Sequence, residues 1–186
     1  MGIISKLEDN PVIATIRDWS GLKRAVLSPV NVIFILDAHV CDMHDMVKAV
    51  KDSGKNVFLH IDLVQGLSKD SAALDFIISR DKPDGVITTK SSLVRHAINN
   101  GMMVIQRLFL VDSQSLETGM KVVETMQPHM VEIMPGLIDK ATRILKKRLK
   151  QPIIAGGMIT EKNDVIQALK SGAFAVSTSI ESLWYT

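Results

Sequence analysis

Two short segments near the carboxyl terminus carry the clearest chemical signal in this chain of 186 residues. Ile153-Ile154-Ala155-Gly156-Gly157 joins an apolar run to adjacent glycines, and Ala175-Val176-Ser177-Thr178-Ser179 ends in three hydroxyls. Adjacent glycines let backbone N–H groups approach an anion, and hydroxyls add hydrogen-bond donors. The pattern predicts a phosphate site at Gly156, Gly157, Ser177, Thr178 and Ser179. A tight turn followed by serines that cap a helix is the alternative interpretation.

Three basic residues close other apolar runs of the chain. Arg17 and Arg107 carry planar guanidinium groups, which suit bidentate contacts to an anion. Lys90 could pair with a phosphate or a carboxylate, or form a Schiff base with a carbonyl substrate. We expect all three to contribute to ligand binding, with an exposed lysine beside a helix N-cap as the simpler interpretation of Lys90.

An imidazole and two carboxylates form a further candidate group. His60 and Asp62 are two residues apart, so a continuous strand would point both side chains to the same side. With Glu132 they could act as an acid/base set or as an incomplete metal site. The commoner outcome is that such groups hydrogen-bond to one another within a pocket. We therefore expect ligand contacts here, with no catalytic residue and no metal.

Eight short runs rich in Val and Ile must position these side chains. They cover residues 11–17, 32–36, 57–63, 85–89, 103–110, 130–134, 153–155 and 174–176. Near-continuous apolarity is typical of parallel strands that are covered on both faces. Between the runs, apolar residues recur at helical spacing, as in Met43, Met46, Val47 and Val50. The sequence therefore predicts alternating strands and helices.

Polar residues and glycines mark the ends of the predicted helices. Side-chain oxygens that accept from free N–H groups favour helix N-termini, and glycine favours the left-handed residue after a helix. We expect N-caps at Ser20, Ser68, Ser113 and Thr160, and helix ends at Gly54, Gly101 and Gly172.

The number and order of these elements favour a closed barrel. We predict an α/β fold, a compact single-domain (β/α)8 TIM-type barrel over residues 1–186, with minimal loops because such barrels usually need about 250 residues. The polar residues that end the strands would then meet at one mouth, with the phosphate site after strands seven and eight. An open doubly wound sheet is the alternative, although no G-x-G-x-x-G motif follows the first strand.

Composition excludes several classes of protein. Cys41 is the single cysteine, so an intramolecular disulfide and a cysteine zinc cage are excluded. No apolar run approaches the ~20 residues that span a bilayer, and the amino terminus lacks a signal-peptide pattern, so we expect a cytoplasmic protein without membrane contact. A net charge of +2 is too small to indicate a nucleic-acid binder by itself. One local basic cluster could still bind RNA or simply face water, and it comprises Lys140, Arg143, Lys146, Lys147, Arg148 and Lys150 on the sixth helix.

The segments at the strand ends resemble a known family when they are taken together and in order. They are Asn10-Pro11-Val12-Ile13-Ala14 through Arg17-Asp18, His60-Ile61-Asp62-Leu63 with Gly66-Leu67-Ser68, Pro83-Asp84-Gly85-Val86-Ile87-Thr88-Thr89-Lys90-Ser91, Gln106-Arg107-Leu108-Phe109-Leu110-Val111-Asp112-Ser113, Glu132-Ile133-Met134-Pro135-Gly136, Ile154-Ala155-Gly156-Gly157 and Ser177-Thr178-Ser179. This combination is similar to the bacterial glycerol uptake operon antiterminator family over nearly the whole chain.

The resemblance implies a regulator and not an enzyme. It implies a protein that binds glycerol 3-phosphate as effector, without a cofactor, and that associates with the leader mRNA of glycerol-utilisation genes to prevent premature transcription termination. The loop 63–69 and the tail 180–186 are the candidates for a moving part, and a homo-oligomer is expected. The alternative is a phosphosugar aldolase or isomerase, with Lys90 as Schiff-base former or His60 and Asp62 as acid/base pair.

Overall fold

Eight parallel strands close into a barrel in the computed structural model, which describes residues 2–186. These strands are β1 (Val12–Ile16), β2 (Val32–Ile35), β4 (Asn56–His60), β6 (Gly85–Thr88), β7 (Met103–Phe109), β8 (Met130–Met134), β9 (Ile153–Gly156) and β10 (Ala175–Thr178). The two-residue strands β3 (Ala38–His39) and β5 (Val64–Gln65) form a separate small parallel sheet. β10 pairs with β1, with Ser177 opposite Ile13, and this pairing closes the barrel. The predicted closed barrel is confirmed, and the open sheet is excluded.

Seven helices connect successive barrel strands, and one more precedes the first strand. The helices are α1 (Ile3–Asp9), α2 (Trp19–Leu27), α3 (Met43–Asp52), α4 (Ser71–Arg80), α5 (Ser91–Asn99), α6 (Ser113–Met126), α7 (Asp139–Arg148) and α8 (Lys162–Lys170). Short 3-10 turns cover Ile61–Leu63 and Glu181–Tyr185. None of the helices among residues 2–186 combines the length and apolarity needed to cross a membrane.

The core has two layers because successive side chains of a strand point to opposite faces. Phe34, Phe58 and Ile105 belong to the cluster that fills the barrel, where the two phenylalanine rings meet edge to face with centroids 5.7 Å apart. Leu7 of α1 is fully buried in this cluster, so α1 closes the barrel at its amino-terminal end. The neighbouring residues Ile33 and Leu59 face the surrounding helices instead. The apolar interior is therefore sealed below and opens only at the carboxyl ends of the strands.

The helix starts differ from the predicted ones. α2, α4 and α6 begin after Asp18, Asp70 and Asp112, whose carboxylates accept hydrogen bonds of 2.7 to 3.0 Å from backbone N–H groups, and α8 begins after Glu161. The predicted N-caps Ser20, Ser68, Ser113 and Thr160 were therefore wrong by one or two residues each. Gly54, Gly101 and Gly172 have φ of +79°, +70° and +107°, which confirms them as left-handed positions after helices.

Candidate ligand site at the barrel mouth

A buried polar layer lies above the apolar filling of the barrel. Its members are inward-facing because each stands two residues beyond a residue of the interior cluster, as Ser177 follows Ala175 and His60 follows Phe58. Between 0% and 7% of each residue's surface is exposed. The layer consists of Thr15, His60, Arg107, Glu132 and Ser177. The sequence thus switches from apolar to polar residues where the barrel begins to open.

Glu132 is the centre of this layer. Its Oε2 accepts a hydrogen bond of 2.7 Å from Arg107 Nε, and its Oε1 accepts one of 2.6 Å from Ser177 Oγ. The Arg107 and Glu132 side chains are 5% and 0% exposed, so this ion pair is buried. A buried carboxylate needs such partners because burial of an unpaired charge is very costly. His60, Asp62 and Glu132, which we expected to hydrogen-bond to one another, make no hydrogen bond among themselves within residues 2–186; Glu132 pairs with Arg107 and Ser177 instead.

Gly156 leaves space for this network. A Cβ atom at this position would lie 2.5 Å from Ser177 Oγ and 2.7 Å from Glu132 Oε1, both far inside van der Waals contact. Gly156 is the last residue of β9 and is buried. Glycine is therefore required because two polar side chains occupy the place of its missing side chain, and not because the backbone turns there.

His60 and Asp62 reach the mouth by a different route from the predicted one. The strand β4 ends at His60, and Asp62 lies in the following 3-10 turn, so strand alternation does not relate the two. Asp62 accepts hydrogen bonds from the Thr88 hydroxyl at 2.7 Å and from the Thr89 N–H and hydroxyl at 2.7 and 2.8 Å. Burial alone would raise the pKa of Asp62, but these three donors together lower it below its ordinary value.

His60 is neutral at pH 7. Burial, with a smaller contribution from the nearby positive charge of Arg107, lowers the pKa of His60 to about 4. Among residues 2–186, His60 Nδ1 and Arg107 Nη2 are buried side-chain atoms that find no hydrogen-bond partner. Most buried polar atoms are paired, so these two atoms represent unused hydrogen-bonding capacity below the mouth.

A cleft opens at the rim of the barrel, beside the ends of β1, β9 and β10. It encloses about 150 Å³, and its lining combines apolar side chains, among them Leu36, Met134 and Ile159, with the polar or small residues Thr15, Arg17, Gly157, Thr160, Ser177, Thr178 and Ser179. We call it the rim cleft. It is smaller than the roughly 300–1,000 Å³ of a drug-sized ligand pocket, which suits a small molecule. The Gly-Gly and Ser-Thr-Ser segments singled out in the sequence therefore meet at one place.

The rim cleft offers unpaired donors. Within residues 2–186, the N–H groups of Gly157 and Ser179 donate no hydrogen bond to the protein, and Arg17 has no carboxylate partner. Gly157 has a φ of +74°, a left-handed conformation that favours glycine and turns its backbone at the end of β9. Two N–H groups and one guanidinium in a shallow cleft form a set of donors for an anion.

The three hydroxyls of the Ser-Thr-Ser segment have different environments. Ser177 is held by Glu132, and Thr178 Oγ1 donates to the Ile159 carbonyl oxygen at 2.8 Å while it accepts from Ile180 N–H. Ser179 is exposed. The hydroxyls of Ser177 and Thr178 therefore stabilise the rim, and Ser179 carries the hydroxyl that is directed to solvent.

Two basic groups of the sequence analysis lie away from the rim cleft. Lys90 precedes α5, does not line the rim cleft, and donates from its ammonium to the Lys69 carbonyl oxygen at 2.8 Å. Lys90 lies apart from Gly157 and Ser179, because β6 and β10 stand on opposite sides of the barrel, and its contribution to ligand binding stays a prediction. The six cations of the basic cluster are exposed on and just after α7, where Arg148 pairs with Glu124 at 3.2 Å.

Parts of both segments considered as moving parts contact the rest of the protein. Val64 and Gln65 of the loop 63–69 pair with Ala38 and His39 in the small sheet. In the tail, Trp184 is 2% exposed and its indole N–H donates to the Thr178 carbonyl oxygen at 3.0 Å. The tail thus packs against the end of β10 and stabilises it through this hydrogen bond.

Several residues of the site were not predicted from the sequence. Thr88 and Thr89 hold Asp62, and Thr15 lines the rim cleft. Alternation identifies Thr15, which lies between the interior residue Ile13 and the rim residue Arg17, but no local signal links Thr88 to Asp62 across 26 residues. Residues 2–186 contain no cluster of three or more His, Cys, Asp or Glu side chains that could hold a metal ion.

Comparison with known proteins gives a consistent result. The model of the family described as glycerol-3-phosphate responsive antiterminator matches residues 12–184. The chain is 34% identical over 184 residues to the protein YgcP of Escherichia coli K12, covering 99% of this chain and 96% of that one. The crystal structure of the glycerol uptake operon antiterminator regulatory protein of Listeria monocytogenes superimposes with a TM-score of 0.91, at 34% identity and 95% coverage of both chains.

A second solved structure extends the likeness. The glycerol uptake operon antiterminator-related protein of Thermotoga maritima superimposes with a TM-score of 0.83 and is 30% identical, covering 93% of this chain and 96% of that one. The family model and these relatives span the whole barrel, including the residues of the polar layer and of the rim cleft. The chain therefore belongs to the family of glycerol-3-phosphate responsive antiterminators.

Proposed function

We propose that this protein binds glycerol 3-phosphate at the rim cleft and that the bound ligand controls its association with the leader mRNA of glycerol-utilisation genes. Binding to the leader would prevent premature termination of transcription in the cytoplasm. The observation that carries the proposal is the rim cleft itself, a small cleft with free hydrogen-bond donors in a chain of this family. The description of the family points to a regulator and not to an enzyme.

The phosphate is assigned to the outer part of the rim cleft. The N–H groups of Gly157 and Ser179, the Ser179 hydroxyl and the Arg17 guanidinium would donate to its oxygens. Barrels of this class commonly hold phosphate with the loops after the seventh and eighth strands, which here are β9 and β10. Hydrogen bonds to a charged group contribute about 1.5–3 kcal/mol each, so loss of Arg17 should weaken binding substantially.

The glycerol end of the ligand is assigned to the buried polar layer below. Ser177 belongs both to this layer and to the lining of the rim cleft, so the two regions are continuous. The unpaired atoms His60 Nδ1 and Arg107 Nη2 offer hydrogen bonds to hydroxyls, and Glu132 fixes Arg107 in place. Gly156 and Thr178 shape the site, and Asp62 positions the loop after β6, without contact to the ligand.

RNA binding is assigned to exposed cations of the α7 region. Lys140, Arg143, Lys146, Lys147, Arg148 and Lys150 are all exposed, and phosphate backbones bind such groups with release of counterions. A ligand controls RNA affinity only if it prefers the RNA-binding state of the protein. A coupling free energy of about 1–3 kcal/mol would change RNA affinity about 5–150-fold, and RNA would change ligand affinity by the same factor.

Calorimetric titration with glycerol 3-phosphate tests the ligand assignment. Wild-type protein should bind glycerol 3-phosphate and not glycerol, and Arg17→Gln should bind it about 10-fold to 100-fold more weakly because one charged donor is lost. Arg95→Gln is the matched control, since Arg95 is exposed on α5 away from the rim cleft. Absence of binding by wild-type protein, or equal losses in the two variants, would contradict the assignment.

Titration of leader RNA with and without glycerol 3-phosphate, at a stated salt concentration, tests the regulatory part. Tighter RNA binding with the ligand is expected. The alternative, a phosphosugar aldolase with a Schiff base on Lys90, predicts that borohydride traps a phosphosugar on that lysine. The hydrogen bond from the Lys90 ammonium to the Lys69 carbonyl oxygen does not favour this alternative, and we expect no trapping.

A further inference from the structure

One segment of the chain is strongly basic. The segment 140–160 contains six cations and no Asp or Glu. α7 starts at the mouth, after β8, and runs to the opposite end, where β9 begins, so the last cations of the segment stand at the base of the barrel. The base is here the end of the barrel at which the strands begin, and the mouth is the end at which they finish.

Four lysines form what we call the basal patch. Lys146, Lys147 and Lys150 surround the end of α7, and Lys170 is the last residue of α8. All four are exposed, and none makes a salt bridge or a side-chain hydrogen bond with residues 2–186. Gly172, just after α8, lies beside the Lys146 stem, where an added Cβ would come within 3.1 Å of Lys146 Cγ. The ends of α7 and α8 are therefore adjacent.

Outside the rim cleft with its Arg17, the mouth carries several exposed carboxylates. The residues that precede α2, α4, α6 and α8 are acidic, and every connecting helix begins at the mouth. These residues, Asp18, Asp70, Asp112 and Glu161, are all exposed. An RNA backbone laid across the mouth would meet these carboxylates, whereas the four lysines of the basal patch make no salt bridge, and the nearby Glu117 and Glu124 are paired with Arg148.

We propose that the leader RNA binds the basal patch, at the opposite end of the barrel from glycerol 3-phosphate, so that both are held at once without touching. This inference rests on the proposed function. It adds where RNA binds, and that RNA and glycerol 3-phosphate bind at the same time. β9 and β10 connect the two ends, because their first residues follow the basal patch and their last residues lead into the rim cleft. Each has four residues, so about 13 Å of strand separates the two regions.

Substitutions that remove lysine charges test the location of the RNA site. The basal variant combines Lys147→Gln, Lys150→Gln and Lys170→Gln, and leaves Lys146, whose stem packs beside Gly172. The matched control combines Lys23→Gln, Lys121→Gln and Lys162→Gln, which are exposed lysines of α2, α6 and α8. Both variants lose the same net charge, so a difference between them reports position and not total charge. Glycerol 3-phosphate is titrated into each variant to show that the mouth is intact.

The expected loss of RNA affinity follows from counterion release. Each phosphate contact contributes about 0.7 to the slope of log K against log salt for single strands, so the basal variant should lower that slope by about 2 and weaken RNA binding about 100-fold at 0.1 M salt. The control variant should bind RNA as wild type does. Glycerol 3-phosphate should bind the preformed RNA complex with one equivalent per chain, as it binds free protein.

Three results would overturn the inference while the proposed function stands. The basal variant keeps wild-type RNA affinity, or the control variant loses as much affinity as the basal variant, or RNA and glycerol 3-phosphate displace each other. Wild-type protein that binds glycerol 3-phosphate but no RNA would instead refute the regulatory part of the proposed function itself.

Discussion

Removal of the charge of Glu132 should destabilise the protein more than any surface substitution, because it leaves a buried cation unpaired. In Glu132→Gln the amide has one acceptor oxygen, whereas the carboxylate accepts from Arg107 at 2.7 Å and from Ser177 at 2.6 Å. Arg107 therefore loses its counter-charge, because the amide is neutral, and at 5% exposure its side chain cannot turn to water in place. Breaking a buried pair in this way costs about 3–5 kcal/mol.

Urea unfolding followed by circular dichroism measures this loss. A domain has about 5–15 kcal/mol of stability, so Glu132→Gln should remove a large part of it, with a lower midpoint and an unchanged slope. Adding Arg107→Met removes the buried cation and keeps an unbranched side chain of similar length. The double variant should recover most of the lost free energy, because a buried ion pair replaced by apolar groups is often neutral in stability.

Two results would refute this reasoning. A loss below about 1 kcal/mol in Glu132→Gln would mean that Arg107 finds another partner or water. A double variant less stable than either single variant, with simple addition of the two losses, would mean that the side chains do not depend on each other.

The remaining predictions concern the pH dependence of stability, the packing of β9 and the anchoring of the tail. The free energy of unfolding should fall as the pH is lowered from about 6.5 to 4. In this range the unfolded chain protonates His60, whereas burial keeps the pKa of His60 at about 4 in the folded state. In His60→Gln this decrease, about 3 kcal/mol at pH 4, should be absent when stability is measured by urea unfolding. Gly156→Ala should cost about 1–3 kcal/mol and weaken glycerol 3-phosphate binding, because the new methyl collides with Ser177 Oγ; thermal unfolding and calorimetry measure both effects. Trp184→Phe should cost about 1–3 kcal/mol in urea unfolding, because the Thr178 carbonyl oxygen loses its donor.

Matched controls separate these effects from general damage. His39→Gln changes an exposed histidine, Trp19→Phe changes a tryptophan that is 37% exposed, and Gly2→Ala adds a methyl where no atom lies within 4 Å. Each should leave its measured quantity close to wild type. Equal effects in a control and in its test variant would contradict the corresponding prediction.

The strands could be predicted because their signal is local. Each barrel strand buries both faces, so a run such as Val32–Ile35 is apolar throughout, and its polar neighbours mark the mouth. The run 130–134 coincides with β8, and six other runs differ from their strands only at the ends. The run 57–63 also contains a 3-10 turn, because Ile61 is apolar and buried and therefore extends the apolar pattern beyond His60.

The detailed site could not be predicted because it depends on contacts between distant segments. Glycines at 156 and 157 look alike in sequence, yet Gly156 makes room for Ser177 and Glu132 while Gly157 adopts a left-handed conformation. The prediction of the helix N-caps failed for a different reason. Serine and aspartate are equally good acceptors at a helix start, so two candidates one or two residues apart, such as Asp18 and Ser20, are not distinguished by residue type.

The small sheet of β3 and β5 makes one side of the mouth ready for a ligand before any ligand arrives. It joins the loops that follow β2 and β4, and Gln65 Nε2 adds a hydrogen bond of 3.0 Å to Asp37 Oδ1. Loops that are already ordered lose little conformational entropy on binding, so more of the free energy of each new contact becomes affinity. A ligand as small as the one proposed makes few contacts, so for any contact with these loops this preorganisation would increase the share of the free energy that becomes affinity.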